Sequence, residues 1–200
     1  MFCIMGLGNP KKRYEGTRHN LGFDVVECLA ERLRIPFKDG KGEYLIALGD
    51  SAGTPVALIK PMTYMNESGV AAADVCEQLT VPLEQLLVVC DDFQLPLGHL
   101  RLRLRGSDGG HNGLYSVIYH LQSDGFPRLR CGIASPSMPK EKDRMAEFVL
   151  ERFETAELLI VRQMVENAAE ASLVAIRRGL TTAMNEFNKR VTPEEDSPTP

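Results

Sequence analysis

The sequence predicts an α/β fold: one domain, built as a sandwich, with a twisted mixed central β-sheet flanked by helices. Three observations carry that expectation. Short apolar runs such as residues 2–7 and 86–90 stop at turn-forming or acidic residues, as strands buried on both faces do. Segments such as residues 21–33 repeat their apolar residues at helical spacing. The two kinds of segment alternate along the chain. Its 200 residues suit one domain, and a hydrophobic share of 44% is enough for a sizeable core.

Each element follows in order. Residues 2–7 form a strand closed by Gly8-Asn9-Pro10. Phe23, Val26, Leu29, Ala30 and Leu33 line one face of a helix over 21–33, with Pro36 and Gly40 in the next loop. Residues 44–48 and 56–59 read as strands around a turn at 49–53. Residues 68–79 are helical and end before Pro82, and 86–90 form a buried strand. Leu100, Leu102 and Leu104 alternate with Arg101, Arg103 and Arg105, which predicts a half-buried strand with an arginine face. A helix over 112–121, a strand over 129–133 and helices over 142–152, 155–178 and 181–188 complete the domain, taken as residues 1–190. Residues 191–200, rich in Pro, Glu and Ser/Thr, are expected to be a disordered tail.

The formal net charge of −4 argues against a generic nucleic-acid binder, though not against a local basic patch. Five scattered cysteines without a Cys-x-x-Cys pair imply reduced thiols and a cytoplasmic protein. No signal-peptide pattern and no apolar run of ~20 residues is present, so no membrane association is expected.

Two motifs mislead. Gly49-x-Ser51-x-Gly53 has the spacing of a serine-hydrolase nucleophile elbow, but a strand-like segment containing Pro55 follows where a helix is needed. Gly6-x-Gly8 opens like a dinucleotide fingerprint, but its third glycine would fall at Lys11. The four histidines show no metal-ligand spacing, and neither a metal nor another cofactor is expected.

The informative set is dispersed: Asn9, His19, Asn66, Asp91, His111 and Asn112, each where an element begins or ends. His19 offers an imidazole that titrates near neutrality, and Asp91 ends a buried strand, where open α/β sheets bind ligands. A carboxylate there suits a partner that orients a histidine base. The three asparagines supply neutral donors and acceptors.

These residues sit in stretches that closely resemble the bacterial-type peptidyl-tRNA hydrolase family. The stretches are Gly6-Leu7-Gly8-Asn9-Pro10, Tyr14, Thr17-Arg18-His19-Asn20-x-Gly22, Lys60-Pro61-x-Thr63-Tyr64-Met65-Asn66-x-Ser68-Gly69, Asp91 with Leu95-Pro96-x-Gly98, Gly109-Gly110-His111-Asn112-Gly113-Leu114 and Arg128-Leu129-Arg130-x-Gly132-Ile133. The resemblance implies hydrolysis of the ester between a peptide and the tRNA 3′-ribose, without a metal, by a cytoplasmic monomer that engages the acceptor stem and 3′ end. It implies that His19 is the base, Asp91 its partner and Asn9 a residue that helps place water and substrate. Tyr14, Tyr64, Met65, Asn66, His111 and Asn112 would contact the substrate. Arg103 and Arg130 would meet tRNA phosphates, with Arg101 and Arg105 extending the patch. The chain departs from the family's pattern at Cys90, Asp92 and Gln94, at Asp108 and at Tyr115. The competing expectation is a non-catalytic RNA-binding relative, a splicing or assembly factor; the intact His19, Asp91 and asparagine set argues against it.

Overall fold

The sheet is laid around β1 (Phe2–Gly6), which pairs in parallel with β4 (Thr54–Pro61) on one side and β5 (Leu86–Pro96) on the other. β7 (Arg128–Ala134) continues the parallel set beyond β5. The margins are antiparallel: β3 (Tyr44–Ser51) on β4, β2 (Lys38–Asp39) on β3, and β6 (Leu100–Arg103) on β7. The seven strands therefore run in the order β2-β3-β4-β1-β5-β7-β6, as seen in a computed structural model that describes residues 1–139 and 141–188. The tail expected over 191–200 lies outside the described residues.

The central strands bury both faces because their apolar residues come without polar alternation. Phe2 and Ile4 of β1, with Leu87 and Val89 of β5, face one core; Cys3 and Met5, with Leu86, Val88 and Cys90, face the other. On the first face pack α1 (Leu21–Leu33), α5 (Leu158–Arg178) and α6 (Leu180–Phe187). On the second lie α2 (Ser68–Leu79) and α3 (Asn112–Leu121). Truncating a fully buried residue such as Ile4 or Leu58 to alanine costs about 2–5 kcal/mol.

Two glycines set where α1 begins. A Cβ on Gly6 would lie 2.0 Å from the carbonyl oxygen of Gly22, and one on Gly22 would lie 2.3 Å from the Leu7 nitrogen. Only hydrogen at both positions lets the start of α1 settle against the end of β1. His19, one turn before Gly22, is thereby brought to the C-terminal edge of the parallel strands.

The structure differs from the sequence expectation at several edges. β3 and β4 run on to a two-residue turn, Ala52-Gly53, with φ of 54° and 87°, where a five-residue turn was expected. Two positive φ values match the right-handed twist of a hairpin. Ser51 ends β3 with its hydroxyl accepting from Arg177 Nε at 2.9 Å, so the Gly-x-Ser-x-Gly spacing belongs to a hairpin. β5 extends to Pro96 through an irregularity between Asp92 and Pro96. β6 stops at Arg103, leaving Leu104 exposed. The helix expected over 142–152 is shorter as α4 (Met145–Leu150).

Candidate active site

Three elements converge at the C-terminal edge of the sheet. β5 delivers Asp91, a 3-10 turn (Arg18–Asn20) ahead of α1 delivers His19, and His111 is the N-cap of α3. All three side chains are buried. One carboxylate oxygen, Asp91 Oδ1, lies 2.8 Å from His19 Nδ1 and 3.0 Å from His111 Nε2. The two imidazole rings are 4.8 Å apart, centroid to centroid.

The hydrogen bonds assign the tautomers. His111 Nδ1 accepts the backbone N–H of Leu114 at 3.2 Å, so its proton is on Nε2 and is donated to Asp91. Asp91 can only accept, so His19 carries its proton on Nδ1 and keeps a lone pair on Nε2. Burial pushes the Asp91 carboxyl up, but the charge and hydrogen bonds of the two imidazoles outweigh it and hold the group well below the usual carboxylate range. Burial lowers the His19 pKa, but the Asp91 charge and hydrogen bond overcome it, and the net shift is upward.

Donor atoms of His19, Asp91 and His111 lie within 4.8 Å of one another, close enough to share a cation. The Leu114 contact opposes that use. With Nδ1 of His111 already accepting a hydrogen bond, Nε2 carries a proton where a metal would need a lone pair.

His19, Asp91 and His111 open into a cleft of about 470 Å³ whose lining also includes Asn112, Phe93, Met145 and Val149. Asn9 does not line that cleft; it lies in a separate hollow of about 330 Å³, beside Lys11, Asn20 and Lys60. Asn9 Oδ1 accepts the Met65 N–H at 3.0 Å, which joins the β1 loop to the segment holding Met65. Asn20, a simple helix cap by its position, makes no cap bond. Its Oδ1 accepts from Asn9 N at 2.9 Å and its Nδ2 donates to Asn9 O at 3.0 Å. Asn66 is exposed, Tyr64 lies under the Lys11 ammonium at 5.0 Å, and half-buried Tyr14 accepts from Arg13 Nη2 at 2.7 Å. None of these three lines the His19 cleft.

The His19 turn is held by a buried ion pair that no spacing in the sequence announces. Arg18 Nη2 meets Glu157 Oε2 at 2.9 Å, and its Nη1 donates to the Arg152 carbonyl at 2.6 Å. The guanidinium lies over Phe148 and Phe153, and the Arg18 N–H donates to the Glu151 carbonyl. The partners lie 139 residues apart in sequence, so only the folded chain brings them together.

The arginines divide into two groups. Arg101, Arg103 and Arg105 are exposed. Arg128, opposite Arg103 on the next strand, is by contrast buried, and its guanidinium donates to the carbonyls of Gly106, Ser107, Asp124 and Phe126. It supports the loop and presents no free cation. Arg130 is half-buried; it pairs with Asp92 at 3.3 Å and donates to the carbonyls of Ser107 and Asp108.

A family model described as peptidyl-tRNA hydrolase matches residues 3–195. The peptidyl-tRNA hydrolase of Chlorobaculum parvum is 44% identical over 191 residues, covering 96% of this chain and 100% of the relative. That of Carboxydothermus hydrogenoformans is 46% identical over 189 residues, covering 94% and 99%. Among solved structures, the peptidyl-tRNA hydrolase of Acinetobacter baumannii superposes with a TM-score of 0.88 at 33% identity, covering 94% of each chain. The expectation of a non-catalytic relative finds no support among these matches. The chain belongs to the peptidyl-tRNA hydrolase family.

Proposed function

We propose that this protein hydrolyses peptidyl-tRNA, cleaving the ester between the peptide and the tRNA 3′-ribose and so returning tRNA to translation. The observation that carries the reading is the Asp91–His19 pair, which leaves the Nε2 lone pair of His19 free beside the cleft. A water there gives its proton to Nε2 as its oxygen attacks the ester carbonyl carbon. The Asp91 carboxylate stabilises the imidazolium that forms. The Asn112 amide donates to the developing oxyanion, a role supported by its presence in the lining of the same cleft. The intermediate collapses by breaking the bond to the ribose oxygen, and the imidazolium returns its proton to that oxygen. The products are a peptide carboxylic acid and a free tRNA 3′-hydroxyl.

The binding roles follow the same reading. Asn9, held by Asn20, places water and substrate; Tyr14, Tyr64, Met65, Asn66 and His111 complete the substrate's surroundings. Exposed Arg101, Arg103 and Arg105 meet phosphates of the acceptor stem, with Arg130 behind them. The reaction is metal-independent, supported by the protonated Nε2 of His111 facing Asp91. The protein acts as a cytoplasmic monomer; no described helix is long and apolar enough to cross a membrane. The test is release of the acyl group from N-acetyl-aminoacyl-tRNA by purified protein with a chelator present. Activity is expected to persist; protein inert with or without added divalent cations would overturn the reading.

A further inference from the structure

We infer that the exposed face of α3 is a nucleobase subsite, in which Tyr115 and Tyr119 stack on unpaired bases that precede the reacting end of the tRNA. The inference rests on the hydrolase reading above and specifies how that substrate's 3′ strand is held. Asn112, Tyr115, Tyr119 and Gln122 follow one another at steps of three, four and three residues, which places them on one stripe of the helix. Asn112 lines the cleft of His19 and Asp91, and Gln122 is the C-cap. The stripe thus leads outward from the reacting centre. From Asn112 to Tyr119 it covers about 10.5 Å at ~1.5 Å per residue. That is roughly three steps of a stacked strand at ~3.4 Å per nucleotide.

The two rings are unusually available. Tyr115 is 61% and Tyr119 60% exposed, although both carry large apolar faces. They lie within 20° of parallel with centroids 6.5 Å apart, and His120 meets Tyr119 edge-on at 5.3 Å. Beside them opens a hollow of about 720 Å³ rimmed by Ser107, Asp108, Gln122 and Asp124.

The rim selects the occupant. Asp108 and Asp124 repel a phosphate, and an apolar side chain would offer no donor to Asp124 or to Asp108 Oδ1, the Asp108 oxygen left over once Oδ2 has accepted the Gly110 N–H at 2.8 Å. A nucleobase answers both features. Its π face stacks on tyrosine, and the exocyclic amino group of cytosine or adenine donates to a carboxylate or to the Gln122 amide. The chain enters this rim from exposed Arg103 and Arg105, which supply cations for the backbone of the same strand.

The experiment measures Kd for deacylated tRNA and for the same tRNA lacking its unpaired 3′ nucleotides. The variants are Tyr115→Ala, Tyr119→Ala and the two Phe counterparts, in the full chain. Each Ala variant should weaken intact tRNA at least about 5-fold, the scale of one lost base stack, and leave the truncated tRNA unchanged. Phe at either position should restore wild-type affinity, because the ring and not the hydroxyl stacks. Unchanged affinity for intact tRNA, or an equal loss with both tRNAs, overturns the subsite; so does failure of Phe to restore binding. Hydrolysis of N-acetyl-aminoacyl-tRNA by the wild type is followed in parallel. A wild type that hydrolyses while the Ala variants bind normally rejects only the subsite, and a wild type that does not hydrolyse rejects the hydrolase reading itself.

Discussion

Asp91 Oδ1 accepts from His111 Nε2 at 3.0 Å while the other nitrogen of that ring caps α3 through Leu114, so one imidazole anchors both a helix and the carboxylate that serves His19. Replacing His111 with Ala removes the cap, which costs about 0.5–2 kcal/mol, and leaves a buried acceptor short of a donor, which costs about 1–3 kcal/mol. His111→Ala should lower the urea midpoint and reduce kcat together. A variant as stable and as active as the wild type would show that Asp91 needs only His19.

His19→Ala should lower kcat by about 10²–10⁴, the usual worth of a positioned base, while tRNA affinity stays close to wild type. Neutral His19 is the working form, so the rate should fall as pH drops through its raised pKa. Asp91→Asn removes the group that raises that pKa and leaves burial, which lowers it. The acid limb of the kcat/KM profile should therefore move to lower pH while its plateau falls. An acid limb that stays in place in Asp91→Asn would assign it to another group.

Arg18 is 1% exposed, so deleting its partner strands a buried charge. Glu157→Ala should cost about 3–5 kcal/mol in equilibrium unfolding and should also slow turnover, because the turn carrying His19 loses its anchor. Arg32–Glu170 is the internal comparison: its side chains are 32% and 50% exposed, and Arg32→Ala should cost at most ~1 kcal/mol. Similar losses for the two pairs would mean that burial does not set the strength of the Arg18 clamp.

Exposed and buried arginines should separate in salt titrations. Arg101→Ala and Arg103→Ala should each flatten the log–log salt dependence of tRNA binding by roughly 0.7–0.9 and leave stability unchanged. Arg128→Ala should do the reverse, since its guanidinium serves four backbone carbonyls and no free phosphate site. A flattened slope in Arg128→Ala at unchanged stability would return that residue to the binding surface.

Much of the architecture was open to reading along the chain. α1, α2 and α3 begin and end where apolar periodicity and the following turn residues place them. The central strands announce themselves as unbroken apolar runs, because burial on both faces removes polar alternation. β2, with exposed Lys38 and Asp39, and the far end of β5, with Asp92, Gln94 and Pro96, carry no such pattern. Their pairing comes from the neighbouring strand.

The sequence by itself also determined which chemical groups are available, since His19, His111 and Asn112 stand at element starts and Asp91 closes the apolar run of β5, although the strand itself continues to Pro96. Tertiary structure alone decided how they are connected. His19 and Asp91 are 72 residues apart and Arg18 and Glu157 are 139, and no local periodicity encodes which distant partners meet. The same holds for Arg103 and Arg128, which face each other across β6 and β7. One stays in water and the other is buried, because the loop carbonyls at Gly106, Ser107 and Asp124 close over only one of them. Burial and hydrogen-bond partnership are properties of three-dimensional proximity, and the order of residues sets them only through the finished fold.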